Sequence, residues 1–351
     1  MKLTSLLNFI FTLKTTHSAW IPIANRDATS YITTNGTENE GFRFGITADC
    51  QLGKFAHKIE QDDTQKWYLD TEMLNAGMNG LNHFRDLRFI ILIGDMVQDK
   101  PKYSSSSSGK TNDNNAQIET AKNSLSKTDI PVFVIPGNRD LGNEWNAPVG
   151  QPMLPIEQYQ GKWGDDYYSF QVGSVMFLSL NTQIWKLDDE TYEPAVSLFL
   201  DEFNWYESQM NSAIKDSSVS NIVIFMHIPP YYHYAAEADE DRNLPVTNQA
   251  VVNAGFDGAC RTRFLDALPE TKPFQIFSGH LHVNRNPDVG DPLHDKLQIT
   301  SAFTMTKEDG NPDNKWRTGL GGIRLAQQNT QLKTVEHEWQ YLQDLPGLYP
   351  N

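Results

Sequence analysis

The stretch RFIILIGD (88–95) decides how this chain folds: an apolar run that ends in a glycine and then an aspartate. GDMVQD (94–99) adds a second acid four residues on, so Asp95 and Asp99 bracket a short loop. A run of this length bounded by turn residues is a buried strand. Ending one on a carboxylate needs a reason, because buried charge is costly unless it is compensated. The pattern then recurs from residue 42 onward. FRFGITAD (42–49), PVFVIPGN (131–138), VMFLSLN (175–181), NIVIFMH (221–227) and PFQIFSGH (273–280) are each short β-branched or aromatic runs that stop at Asp, Asn or His.

Helical spacing separates some of these runs. In TQKWYLDTEMLNAGMNGLNHF (64–84), Trp67, Leu69, Met73, Leu74, Met78, Leu81 and Phe84 recur with helical period, and DEFNWYESQMNSAI (201–214) does likewise. Strand–helix alternation predicts α/β layers with helices covering a sheet. LQITSAF (297–303), GGIRLA (321–326) and KTVEHEWQYL (333–342) read as strands without clear helices between them, which predicts a β-rich second half.

The chain has 351 residues, enough to bury a sizeable core, and its 39% hydrophobic content is that of an ordinary globular protein. Twenty-nine Lys and Arg against 44 Asp and Glu leave a formal charge of −15. That surface repels phosphate backbones and argues against a dedicated nucleic-acid binder. An acidic protein that handles an anionic substrate needs local positive charge, and metal ions are the obvious source. The two cysteines, Cys50 and Cys260, make no disulfide framework. No internal stretch is apolar for long enough to span a membrane.

MKLTSLLNFIFTLKTTHSAW (1–20) resembles a secretory signal cut after Ala19, although Thr4 and Asn8 interrupt its apolar run. The compartment therefore stays open between extracytoplasmic and cytoplasmic. Residues 20–41 read as a flexible leader carrying the sequon Asn35-Gly36-Thr37, and 42–345 as one domain. YSSSSSGKTNDNN (103–115) reads as a solvated loop, and YYHYAAEADEDRNLPVTNQ (231–249) as a long acidic insertion.

In open α/β sheets, ligands bind beyond the carboxyl ends of the strands. Here those ends carry Asp49, Asp95, Asn138, Asn181, His227 and the pair His280 and His282. One such ending alone is most simply a capping residue. Six at one sheet edge point instead to compensating cations, and oxygen with imidazole donors suits Mn²⁺, Fe or Zn²⁺ better than Ca²⁺.

Along the chain the set is Asp49-x-Gln51, Gly94-Asp95-x-x-x-Asp99, Gly137-Asn138-Arg139-Asp140, His227 and Gly279-His280-x-His282. This resembles the calcineurin-like metallophosphoesterases. ADCQLG (48–53), WGDDYYSFQVGSVMFLSLNTQ (163–183) and MHIPP (226–230) further resemble a protein serine/threonine phosphatase branch of that superfamily. The resemblance implies a four-layer α/β/β/α sandwich holding two divalent metal ions (Mn, Fe, Zn or Mg). One would be held by Asp49, Gln51 and His282, the other by Asn138, His227 and His280, with Asp95 bridging both. Two cations roughly 3.5–4 Å apart orient a hydroxide and clamp the phosphoryl oxygens, with no nucleophilic side chain required. The reaction implied is phosphoester hydrolysis, with a phosphorylated small molecule or phosphoprotein as substrate. Phosphomonoesters are favoured over diesters and pyrophosphates, and a metal- or phosphate-binding protein with little turnover is the rival from another class.

Two positions depart from the family pattern. Gln51 stands where most members have histidine, and its amide oxygen is a weaker ligand that favours a harder ion such as Mn²⁺ or Mg²⁺. Arg139 stands where the family has a histidine that protonates the leaving oxygen. A guanidinium grips phosphate but stays protonated at neutral pH. Asp140 either pairs with Arg139 as part of the catalytic machinery or stabilises the turn. Asp99 reads as a partner of a ligand or a solvated acid. Cys50 reads as a buried structural thiol. Asn181 sits at the same edge, either contacting substrate or shaping its turn, and Tyr231 and Tyr232 are expected to wall the mouth of the cleft.

Overall fold

The computed structural model describes residues 20–21, 41–54, 67–84, 86–101, 113–142, 151, 153–186, 193–232, 244–246, 249–251, 255, 258–300, 322–329 and 334–341. The signal-like stretch 1–19, the sequon, most of the serine-rich stretch and the acidic run Glu237 to Asp241 lie outside these residues.

Every strand-like run named above becomes a strand. β1 (Trp20–Ile21) precedes β2 (Arg43–Thr47), helix α1 (Tyr68–Leu81), β3 (Leu87–Ile93), α2 (Asn114–Leu125) and β4 (Val132–Ile135). The short turn of helix α3 (Asn138–Leu141) and α4 (Leu154–Trp163) lead to the hairpin β5 (Tyr168–Val172) and β6 (Val175–Leu180). Then come α5 (Glu193–Lys215), β7 (Asn221–Met226), the small hairpin β8 (Leu244–Val246) and β9 (Gln249–Val251), and α6 (Gly258–Asp266). The chain continues through β10 (Phe274–Ser278), β11 (Leu297–Ile299), β12 (Gly322–Asn329) and β13 (Thr334–Tyr341).

Two sheets carry the fold, one of six strands in the order β1-β4-β3-β2-β12-β13 and one of five in the order β11-β10-β7-β6-β5. β2, β3 and β4 run parallel in the first, and β6, β7, β10 and β11 in the second. Parallel strands are covered on both faces, which is why their sequences are apolar throughout and not alternating. β1 corrects the leader expectation for two residues: Trp20 and Ile21 pair antiparallel with Phe133 and Val132 on the sheet's edge. β4 has β3 on one side only, and its other edge accepts this extra strand.

The sheets meet through phenylalanines. Phe89 of the first lies edge-on to Phe177 of the second at 5.1 Å and 87°, and Phe133 stacks on Phe170 at 4.6 Å and 9°. Offset-stacked and edge-to-face rings add about 0.5–1.5 kcal/mol per pair beyond their burial. α1 and α2 bury Leu74, Met78, Leu81, Ile118 and Leu125 in the core. α5 packs on β6 and closes Phe203 and Tyr206 around Trp185 and, with Tyr206 stacked on it, Phe264 of α6. The result is the expected α/β/β/α sandwich, with the carboxyl ends of both sheets' parallel strands at one edge.

Candidate metal centre

Pairing continues past the ends of β2 and β3 and sets the first part of the site. Asp49 N–H donates to Gly94 O at 3.0 Å, Gln51 N–H to Asp95 O at 2.8 Å and Leu52 N–H to Met96 O at 3.1 Å. Asp49, Gln51 and Asp95 therefore sit side by side. Asp49, Gln51, Asp95, His280 and His282 all have positive φ, between 38° and 71°. Left-handed backbone on a non-glycine residue costs about 1–3 kcal/mol and gathers at functional sites. The glycines serve close approach. A Cβ on Gly94 would lie 2.5 Å from His227 Nδ1, and one on Gly137 would lie 2.3 Å from Asp95 Oδ1.

The structure brings Asp49, Gln51, Asp95, Asn138, His227, His280 and His282 into one cluster, each 9% exposed or less except the half-buried His280. Ligand atoms of Asp49, Asp95 and His227 lie within 4.8 Å of one another. His227 Nδ1 is 2.8 Å from the Ile93 carbonyl, an acceptor only, so that nitrogen carries the proton. The lone pair on Nε2 then faces Asn138 Oδ1 at 3.1 Å and Asp95 Oδ1 at 3.5 Å. Three electron-rich atoms converge there. Asn138 Oδ1 also lies 3.0 Å from His280 Nδ1. On the other side, Gln51 Nε2 donates to Asp95 Oδ2 at 2.7 Å, and its buried Oε1 has no hydrogen-bond partner. An orphaned amide oxygen and converging lone pairs are what a divalent cation would satisfy, so the donor set fits the group the motifs imply.

Burial pushes the Asp49 carboxyl up to about 7, with Asp95 adding to the rise and His227, Lys54 and the His280 N–H opposing it. Burial, reinforced by Asp95, likewise holds Asp140 well above the usual carboxylate range.

Several candidates take other places than expected. Asp140 does not pair with Arg139. Its carboxylate accepts the backbone N–H groups of Gly137 and Asp95, both at 2.8 Å, and of Met96 at 3.2 Å. It therefore stitches the loop after β4 to the loop after β3, which makes it a positioning residue. Arg139 N–H donates to Asp95 Oδ1 at 2.7 Å, while its guanidinium donates to Gln98 O at 3.2 Å. Asp99 is likewise an anchor, its carboxylate accepting Asp113 N–H at the start of α2.

Asn181, read as either a substrate contact or a turn residue, is fully buried and donates its amide to Asp166 at 2.8 Å, as a turn residue does. Tyr231 and Tyr232 do not wall a cleft. Tyr231 is fully buried and donates to Asp291, and Tyr232 packs on Ile299 beneath the guanidinium of Arg285. A pair of aromatics after a strand end satisfies apolar packing as readily as a site wall, and here packing wins. Cys50 is buried, as expected.

One residue at the centre escaped the motifs. Lys54 lies 3.3 Å by Nζ from His282 Nδ1, and its N–H closes a turn onto Gln51 O at 2.9 Å. Its only sequence signal is a cation three places after Gln51, across Gly53.

Comparison with known proteins agrees with this geometry. The calcineurin-like phosphoesterase family matches residues 42–284. Serine/threonine-protein phosphatase CPPED1 of Danio rerio is 30% identical over 249 residues, covering 69% of this chain and 71% of the relative. The Homo sapiens protein of the same name is 28% identical, over 69% and 70%. Among solved structures, GAP50, the anchor in the inner membrane complex of Plasmodium, aligns with a TM-score of 0.51 at 16% identity, over 88% of this chain and 87% of its own. Purple acid phosphatase PPD1 from yellow lupin aligns with a TM-score of 0.50 at 14% identity, over 88% and 52%. At these identities the two structures speak for the fold alone. The family match spans the strand-end loops that carry the cluster, from Asp49 to His282. The chain belongs to the calcineurin-like phosphoesterase family and is a phosphoester hydrolase.

Proposed function

We propose that this hydrolase is a phosphomonoesterase working with two divalent cations, and that its substrates include phosphorylated serine or threonine in proteins. The observation that carries this reading is the placement of Asp95. Its Oδ1 lies 3.5 Å from His227 Nε2, which also faces Asn138 Oδ1, while its Oδ2 accepts from Gln51 Nε2, so one carboxylate is shared between two groups of donors. Asp49, Gln51 and His282 would hold one cation, and Asn138, His227 and His280 the other. Bound there, such cations supply an activated water and positive charge for the phosphoryl oxygens.

The chain's own residues do the rest. The Ile93 carbonyl keeps the His227 proton on Nδ1 and its lone pair turned to the cluster. Asp140 and the Arg139 N–H hold the Asp95 loop in place. Arg139 carries a fixed positive charge, set on the Gln98 carbonyl, but holds its proton, so the leaving oxygen must take one from water. Monoesters whose leaving groups need little protonation are therefore the fast substrates. The names of the relatives support a phosphoprotein substrate.

The test uses protein reloaded with Mn²⁺ and assayed on p-nitrophenyl phosphate, its bis-ester and a phosphoserine peptide. Wild-type protein turns over the monoesters in preference, and Asp95→Asn lowers that turnover by about 10²-fold or more. Preference for the bis-ester or for pyrophosphates would replace this reading with a diesterase or pyrophosphohydrolase. Arg139 and Gln51 favour one further outcome, stoichiometric cation binding with little turnover on any of these.

A further inference from the structure

Two of the three histidines on which the proposed cation positions depend, His227 and His282, are set in opposite ways. This inference rests on the functional reading above and concerns how the same site loads. At His227 a carbonyl fixes the proton on Nδ1 and leaves Nε2 with a lone pair toward Asn138 and Asp95. At His282 the neighbour is an ammonium. Lys54 Nζ lies 3.3 Å from Nδ1, and an ammonium has donors and no acceptor, so Nδ1 accepts. The His282 proton then sits on Nε2 and is donated to Asp49 Oδ1 at 3.1 Å. The nitrogen that would bind a cation beside Asp49 and Gln51 is thus turned to hydrogen bonding. The third donor on that side, Gln51, is a neutral amide.

We infer that Lys54 competes with a cation for the Asp49–Gln51–His282 position, so that the two positions load unequally. The His227 side takes its cation first. The Lys54 side accepts one only when the ammonium leaves the ring and the His282 proton passes, through water, from Nε2 to Nδ1. The ring stays neutral and Lys54 keeps its three protons, so the exchange balances. Like-charge repulsion between the Lys54 ammonium and a divalent cation held by the same ring would set the size of the penalty.

The experiment is Mn²⁺ titration of the full chain, cleared of metal by chelation, read by calorimetry and by electron paramagnetic resonance. Wild-type protein should bind in two steps, with the second weaker by about tenfold or more, and should show the signal of an exchange-coupled pair only at the second. Lys54→Met should tighten the second step by about tenfold while leaving the first in place, and Lys54→Arg, which keeps the charge, should stay weak. If Lys54→Met does not hold its circular dichroism spectrum, Lys54→Gln takes its place. Two equal steps in the wild type, or a second step that neutralising Lys54 leaves unchanged, overturn the inference and leave the functional reading intact. An absence of Mn²⁺ binding overturns that reading itself.

Discussion

Arg139 shows how one side chain can set the substrate range of a site built by its neighbours. Its backbone N–H holds Asp95, a contact that does not depend on the side chain, and its guanidinium leans on the Gln98 carbonyl. A guanidinium cannot give up its proton at neutral pH, whereas an imidazole can, and general acid assistance is worth about 10²–10⁴-fold. Replacing Arg139 by His should therefore raise turnover of phosphoserine by about tenfold or more and leave p-nitrophenyl phosphate nearly unchanged. Equal gains on both esters would mean that the arginine acts through charge alone. The identity of this residue was legible in the sequence; the direction of its guanidinium was not. Asp140 carries the same lesson. The motif places it beside Arg139, yet the backbone N–H groups of Gly137, Asp95 and Met96 claim its carboxylate.

At the scale of elements, the strand ends do not position the cluster unaided. The turn after β6 braces two of the loops: Ile228 N–H donates to Thr182 Oγ1 at 2.9 Å, and Gln183 Nε2 to Gly142 O at 3.3 Å. That turn is itself tied down by Asn181, whose N–H donates to Glu202 of α5 at 2.7 Å and whose amide donates to Asp166. Burial, with Asp166 adding to it, holds Glu202 well above the usual carboxylate range. The folded chain therefore keeps a proton there at pH values where the unfolded chain, with a carboxyl near 4.3, has released it. Stability contributed by this group falls as pH rises above about 4 toward the raised value. Glu202→Gln keeps an acceptor for the Asn181 N–H and has no proton to lose. Its unfolding temperature should gain on the wild type steadily as pH rises above about 5, and a constant difference would refute the argument. The helix expected over 64–84 forms as α1, and the one over 201–214 lies within α5. α2 (NNAQIETAKNSL) and α4 (LPIEQYQGKW) offer little apolar periodicity, and neither was legible as a helix. They form because a few side chains, Ile118 and Leu125 in one and Ile156 and Trp163 in the other, find a core supplied by distant strands.

Across the whole molecule the site depends on two sheets holding register against each other. Asp49, Asp95 and Asn138 follow strands of one sheet, while His227, His280 and His282 follow strands of the other. Phe89 lies at the seam, with ring contacts to Phe44 and Phe133 in its own sheet and to Phe170 and Phe177 across it. Phe89→Ala should lower unfolding free energy by about 3–5 kcal/mol in denaturant titration, the range for truncating a buried aromatic. A loss under about 1 kcal/mol would mean that the seam does not couple the sheets. The strands, their parallel character and the polar residues that end them are local facts, written as continuous apolar runs closed by turn residues, and so they could be read along the chain. Contacts between segments far apart along the chain leave no such periodic trace. Lys54 against His282, Tyr231 turned into the core and Trp20–Ile21 added to a sheet edge arise from the packing of completed elements, where burial and hydrogen-bond satisfaction choose among side-chain directions that the local pattern leaves equal.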